Sequence, residues 1–289
     1  MNKTIEHLIT SSKINMGGFI VDQPLPSSTV SSLDPFLLLH HANHKYRGGR
    51  RASDIGIGPH PHRGFSPVTF IFKGEIHHRD SRGNNQIVGE GGMQWMSAGM
   101  GIIHSERPSA RIAENGGQVE IIQLWVNTPA KHKMDQPYYL PITNEEVTSW
   151  SENEGKVKFK LYSGEIMGKT GPAKTPFPVN LLRVDFQNNG KTKLEIPEGF
   201  ATAVYQLNGS TLINGTDVRS KQLAIFNNEG TTIEIEALDN TQLILMSGKP
   251  LNEPIESYGP YVMTNQTEIL QAMRDYQMGK MGILIEEFD

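Results

Sequence analysis

Glycine and proline break this chain so often that the segments between them are the length of strands rather than of globular helices. The 289 residues include 29 glycines and 17 prolines. Between them lie β-branched and aromatic runs: Val68-Thr69-Phe70-Ile71-Phe72, Val119 to Val126, Val157 to Tyr162, Leu181 to Phe186, Ala203 to Leu207, Thr231 to Glu236 and Leu243 to Met246. Short strands separated by turn residues predict an all-β sandwich or barrel. One segment reads as helix. Asn265 can cap it with Glu268 three residues on, Ile269, Leu270, Met273 and Tyr276 form an apolar stripe, and Gly279 stops it. The pattern places a short helix near 265–279, packed by that stripe on the outside of a barrel.

The chain also repeats itself. Phe65–Gly74 (FSPVTFIFKG) and Phe200–Gly209 (FATAVYQLNG) share length and the order aromatic, strand, glycine, which predicts two barrels of one type. The expected domains are 1–135 and 136–289, joined through Asn127 to Trp150, where Thr128-Pro129 and Gln136-Pro137 interrupt the strand pattern. The same offset sets Glu195 and Pro197 where the first half has His60 and His62, and no histidine follows His132. Histidine ligands are therefore expected in the first barrel only.

His60-Pro61-His62 and His104-Ser105-Glu106 each place two ligand-type side chains at positions i and i+2. On a strand those two point to the same face. Two such pairs on neighbouring strands would converge three imidazoles and one carboxylate on a single point. An all-N/O donor set suits a divalent ion such as Fe, Mn, Ni or Zn. Four protein ligands would leave a six-coordinate ion two positions for water, substrate or oxygen. The chain has no cysteine, which excludes disulfides, thiolate sites, iron–sulfur clusters and a cysteine nucleophile. A structural zinc would usually show cysteines and closed ligation. His40, His41 and His44 have a spacing that does not converge on one face and read as a strand end and polar loop. His77 and His78 are adjacent, face opposite ways on a strand, and read as exposed or outer residues rather than ligands. Phe70, Phe72, Trp95 and Met96 are candidate core.

Gly-Pro-His-Pro-His-Arg-Gly-Phe (58–65), followed by Met-Gln-Trp-Met-Ser-Ala-Gly-Met-Gly-Ile-Ile-His-Ser-Glu (93–106), resembles the pirin family of bicupins. The resemblance continues through Gln123-Leu124-Trp125-Val126-Asn127 and Tyr162-Ser163-Gly164-Glu165, and ends with Gly259-Pro260-Tyr261-Val262-Met263. It implies two antiparallel jelly-roll barrels in one chain and one metal ion in the N-terminal barrel, held by His60, His62, His104 and Glu106. Iron(II) is the ion the family implies, with Mn, Ni, Co or Zn as alternatives. The general cupin pattern sets a glutamate after the second histidine with three or four residues between them. Ser66 and Pro67 stand there, so the carboxylate is expected from Glu106. Pirin relatives are linked to quercetin 2,3-dioxygenase activity and to iron-dependent binding of transcription regulators. The first role would use Glu106 as an anionic ligand or as the general base for a flavonol 3-hydroxyl. The second would make the metal state a control on a surface for a regulatory or metabolic protein partner. The enzyme reading is favoured, because an open metal site is a catalytic device.

The formal net charge of −4 gives no global pull toward nucleic acid or anionic membrane. Lys45, Arg47, Arg50 and Arg51 form a basic patch too short to argue nucleic-acid binding. Met1 to His7 lacks the apolar core of a secretory signal, and no apolar run approaches the roughly 20 residues of a membrane helix. The expectation is a cytoplasmic monomer acting on a small, flavonol-like aromatic substrate.

Overall fold

A computed structural model describes residues 1–16 and 18–288. All seven β-rich runs lie in strands save the single residue Thr231, from Phe65–Lys73 and Gly117–Asn127 to Thr232–Ala237 and Thr241–Gly248. The chain divides into two compact units, each built from two stretches: Met1–His40 with Glu146–Leu251, and His41–Glu145 with Asn252–Asp289. The ends of the chain are thus exchanged relative to a simple division at 135/136. Two local preferences account for it. The strand Ile5–Thr10 pairs with Gln222–Phe226, joining the N-terminus to the unit of the second repeat. The last segment carries the helix, whose Ile269 and Ala272 pack with Tyr261, Met263, Met281 and Ile103 of the histidine-bearing unit. The stretch from Asn127 to Trp150 is more than a connection. Tyr138–Ile142 pairs with Met93–Ser97, and most of a second strand, Thr148–Glu152, pairs with Val157–Ser163.

The internal repeat is structural. In one unit the order across the larger sheet includes Met93–Ser97, Phe65–Lys73 and Gly117–Asn127; in the other it includes Gln222–Phe226, Ala201–Asn208 and Thr241–Gly248. The two matching sequence segments are the central strand of each triplet. The smaller sheets correspond as well: Ile57–His62, Ile102–Pro108, Glu75–Asp80, Asn85–Gly89 against Lys191–Glu195, Thr232–Ala237, Ser210–Ile213, Thr216–Arg219. Pairing within these sheets is antiparallel. In the second unit Leu182, Val204 and Leu245 of the larger sheet meet Leu194, Ile213 and Ile233 of the smaller one in a single buried core. Two facing antiparallel sheets closed over such a core make a jelly-roll barrel. Phe70, Phe72, Trp95 and Met96 are buried.

The helix runs Gln266–Gln277, and Asn265 Oδ1 accepts the Glu268 amide at 3.0 Å. Its buried residues are Ile269, Ala272 and Asp275, while Leu270 and Tyr276 of the expected stripe are 48% and 40% exposed. The reason is a buried ion pair. Asp275 accepts from Arg63 at 2.9 Å, which turns that face inward.

Gly64, between Arg63 and Phe65, has φ +84°, and a Cβ there would lie 2.0 Å from the Val262 carbonyl oxygen. Only glycine fits. Gly64→Ala is expected to destabilise the protein by about 2–4 kcal/mol, the sum of left-handed strain and overpacking. The melting temperature should fall by roughly 5–10 °C, and metal uptake should weaken because the displaced segment also holds His62. An unchanged thermal melt would contradict this account.

Candidate metal centre

The smaller sheet of the histidine-bearing unit sets the site. In its register His104 pairs with His60 on one side and with Asp80 on the other, while Glu106 pairs with His78. Because alternate residues share a face, His60, His62, Asp80, His78, His104 and Glu106 belong to one inward surface. The three imidazoles His60, His62 and His104 come together, with one ligand nitrogen from each within 4.8 Å of the others. Ring centroids stand 4.3 to 5.0 Å apart. Among the described residues this is the only group of three or more such side chains.

Hydrogen bonds decide which nitrogens are available. His60 Nδ1 lies 2.8 Å from the Gly58 carbonyl and His62 Nδ1 lies 3.3 Å from the Pro260 carbonyl. A carbonyl only accepts, so each Nδ1 carries the hydrogen and each Nε2 carries the lone pair. His104 Nε2 is buried without a hydrogen-bond partner. Burial, and then the neighbouring imidazoles, hold the His62 and His104 pKa values well below the ordinary histidine range. Neutral imidazoles with inward lone pairs fit a divalent transition ion, and a buried polar atom without a partner is otherwise costly. The segment Gly259 to Met263 thereby gains a role. It bonds Arg63 through Pro260 and Val262 and presents the carbonyl that orients His62.

Glu106 is not part of the three-nitrogen group. A register shift separates it from His104 in the pairing with the His60 strand. Its carboxylate is held by three donors: Thr69 Oγ1 at 3.1 Å and Gln94 Nε2 at 2.6 Å on Oε1, and Gln123 Nε2 at 2.7 Å on Oε2. Oε2 therefore keeps an open lone pair. Tyr139 donates its hydroxyl to Gln94 Oε1 at 3.0 Å, which turns the Gln94 amide nitrogen toward Glu106. Burial, and then the charges of Glu106 and Asp80, raise the Tyr139 pKa, so it remains a donor.

The other histidines lie elsewhere. His40 and His41 belong to the strand Phe36–Tyr46, which runs past them instead of ending in a loop. His40 bonds Gln23 at 2.7 Å and His41 bonds Glu120 at 3.0 Å. His77 bonds Asn85, whereas His78 is fully buried behind His104. Thr69, Gln94, Gln123, Tyr139 and Asp80 escape a search for metal ligands. The signal for the glutamines is present in hindsight. Each is an amide between two apolar neighbours on a strand, Met93-Gln94-Trp95 and Ile122-Gln123-Leu124. In the second barrel the register position of His60 and His104 holds Glu195 and Thr232, which bond each other at 2.8 Å.

Comparison with known proteins places these features. The sequence model described as Pirin matches residues 18–126, and the Pirin C-terminal cupin domain matches residues 181–282. A Pseudomonas aeruginosa protein provisionally named a quercetin 2,3-dioxygenase is 36% identical over 251 residues, covering 86% of each chain. Human pirin is 32% identical over 260 residues, covering 88% of this chain and 84% of its own. The crystal structure of a quercetin 2,3-dioxygenase from Acinetobacter baumannii superposes with a TM-score of 0.93 at 35% identity, covering 99% of this chain and 100% of that one.

Proposed function

The chain belongs to the pirin family, and on that premise we propose that it is a metal-dependent dioxygenase that opens a flavonol or similar aromatic enol with O2 and releases carbon monoxide. The observation that carries this reading is the set of three imidazoles whose Nε2 atoms are left for an ion, beside a carboxylate with an open lone pair. The likeness to the Acinetobacter baumannii enzyme over nearly the whole chain supports the same substrate class. No helix among the described residues is long and apolar enough to cross a membrane.

His60, His62 and His104 hold the metal, with iron(II) as the ion of choice. When bound, it supplies Lewis acidity toward a substrate hydroxyl and the one-electron chemistry with O2 that side chains lack. Glu106 accepts the hydroxyl proton on Oε2, the oxygen with only one donor. Thr69, Gln94 and Gln123 fix that carboxylate in place, as a general base must be fixed. Phe65 and Trp125 pack on His62 with centroids at 5.1 and 5.6 Å, an aromatic wall suited to a planar substrate ring.

The test is quercetin turnover by protein loaded anaerobically with Fe(II) and then exposed to oxygen. One carbon monoxide per flavonol consumed, absent from metal-free protein, is the expected result. No carbon monoxide from protein holding one iron per chain would transfer the proposal to a metal-responsive binding protein.

A further inference from the structure

Two of the three imidazoles have their proton position settled by a carbonyl. His104 does not. Its Nδ1 faces another imidazole, His78 Nδ1, at 3.5 Å, the long end of a hydrogen bond. Either nitrogen could donate, and the choice has a chemical consequence. If His104 carries its hydrogen on Nδ1, its lone pair lies on Nε2 and faces the other ligands; if it accepts from His78, the hydrogen sits where the ion must be.

We propose that Asp80 and His78 are positioning residues for the metal site: Asp80 accepts Nε2–H of His78, His78 Nδ1 accepts Nδ1–H of His104, and the lone pair of His104 is thereby left on Nε2. This rests on the metal-binding part of the function proposed above. His78 Nε2 lies 2.9 Å from Asp80 Oδ2, and both side chains are fully buried. A carboxylate accepts only, so this contact sets a hydrogen on His78 Nε2, and in the neutral imidazole the lone pair is then on Nδ1. Asp80 is itself fixed. Its Oδ1 accepts the amides of Arg82 at 2.8 Å and Asn84 at 3.1 Å, and its Oδ2 also accepts from Asn84 Nδ2 at 2.7 Å. Tyr139 stacks on the His78 ring at 3.8 Å and 5°, which holds the plane in which the relay is aligned. The arrangement is a carboxylate–histidine–histidine chain that selects a tautomer, extending the usual single outer partner of a ligating imidazole by one residue.

The relay has a direction, and one isosteric change reverses it. In Asp80→Asn the two backbone amides retain the oxygen on the Oδ1 side, so the new NH2 faces His78 Nε2 and the Asn84 side-chain amide turns its oxygen toward it. His78 must then carry its hydrogen on Nδ1 and donate to His104, whose own hydrogen moves to Nε2. The experiment uses the full chain, stripped of metal and labelled with 15N-histidine, with long-range 1H–15N spectra assigned by His104→Gln. The expected wild-type result is a protonated Nδ1 and a bare Nε2 on His104. In Asp80→Asn the two should exchange, and Co(II) affinity by direct titration should fall about 10–100-fold. A merely structural role for Asp80 moves neither tautomer.

A wild-type His104 protonated on Nε2 would overturn the proposal, and that arm needs no variant to fold. So would an Asp80→Asn protein with unchanged tautomer and Co(II) affinity within twofold of wild type. His78→Phe, which keeps the stack on Tyr139 but removes the acceptor, should also lose affinity; equal affinity counts against the relay. Wild-type protein that shows the expected tautomer yet takes up no cobalt would refute the metal reading and leave the relay standing.

Discussion

Replacing His104 by alanine is expected to strip the metal from the protein and reduce flavonol turnover to background, while the fold survives. His104 is 1% exposed and pairs in register with His60 on one side and Asp80 on the other. Its loss removes one of three nitrogens and leaves His78 Nδ1 without its partner. Loss of an outer partner alone weakens metal affinity roughly 10–100-fold, so loss of a ligand should exceed that. Survival of the fold follows from the second barrel. There the same sheet position holds Glu195 and Thr232, and the sheet forms in register without a histidine. The cavity should cost on the order of 2–4 kcal/mol, which His104→Gln would reduce. Metal content after dialysis, carbon monoxide release and a thermal melt check all three parts. A variant that turns over flavonol with no bound metal would sink the metal-dependent mechanism.

Much of this was legible in the residues. The i, i+2 spacing of His60 and His62 identified a strand face, and the repeat of Phe65–Gly74 at Phe200–Gly209 marked the same central strand in each barrel. Both signals are local, because a strand's period of two is written directly into its sequence. What escaped is long-range. No local pattern says that Ile5–Thr10 pairs with Gln222–Phe226, or that a carbonyl at Pro260 orients His62. The helix shows the limit of periodicity. Of its apolar stripe Ile269 and Met273 pack inward, but a buried Arg63–Asp275 pair turns Leu270 and Tyr276 outward. Glu106 is the sharpest case. Spacing set it beside His104, yet three amide and hydroxyl donors, drawn from other strands, decide where its oxygens lie.

Those donors set up the second large effect. Glu106→Gln is expected to retain about one metal per chain while kcat falls roughly 10²–10⁴-fold, the usual contribution of a positioned base. The three imidazoles remain, so the ion is still held. The amide cannot accept the substrate proton, and its NH2 must face one of the existing donors. Gln94 resists turning over, because its Oε1 is committed to the Tyr139 hydroxyl at 3.0 Å. Gln123, alone on Oε2, can rotate to offer its oxygen instead. The new NH2 therefore takes the Oε2 side, the side on which the carboxylate had its open lone pair. Proton acceptance and the open lone pair are lost together, without a cavity and without a buried unpaired charge. Metal content and kcat measured on the same preparation separate the two roles of Glu106. Parallel loss of metal and turnover would make it a fourth ligand; retention of both would remove it from the chemistry.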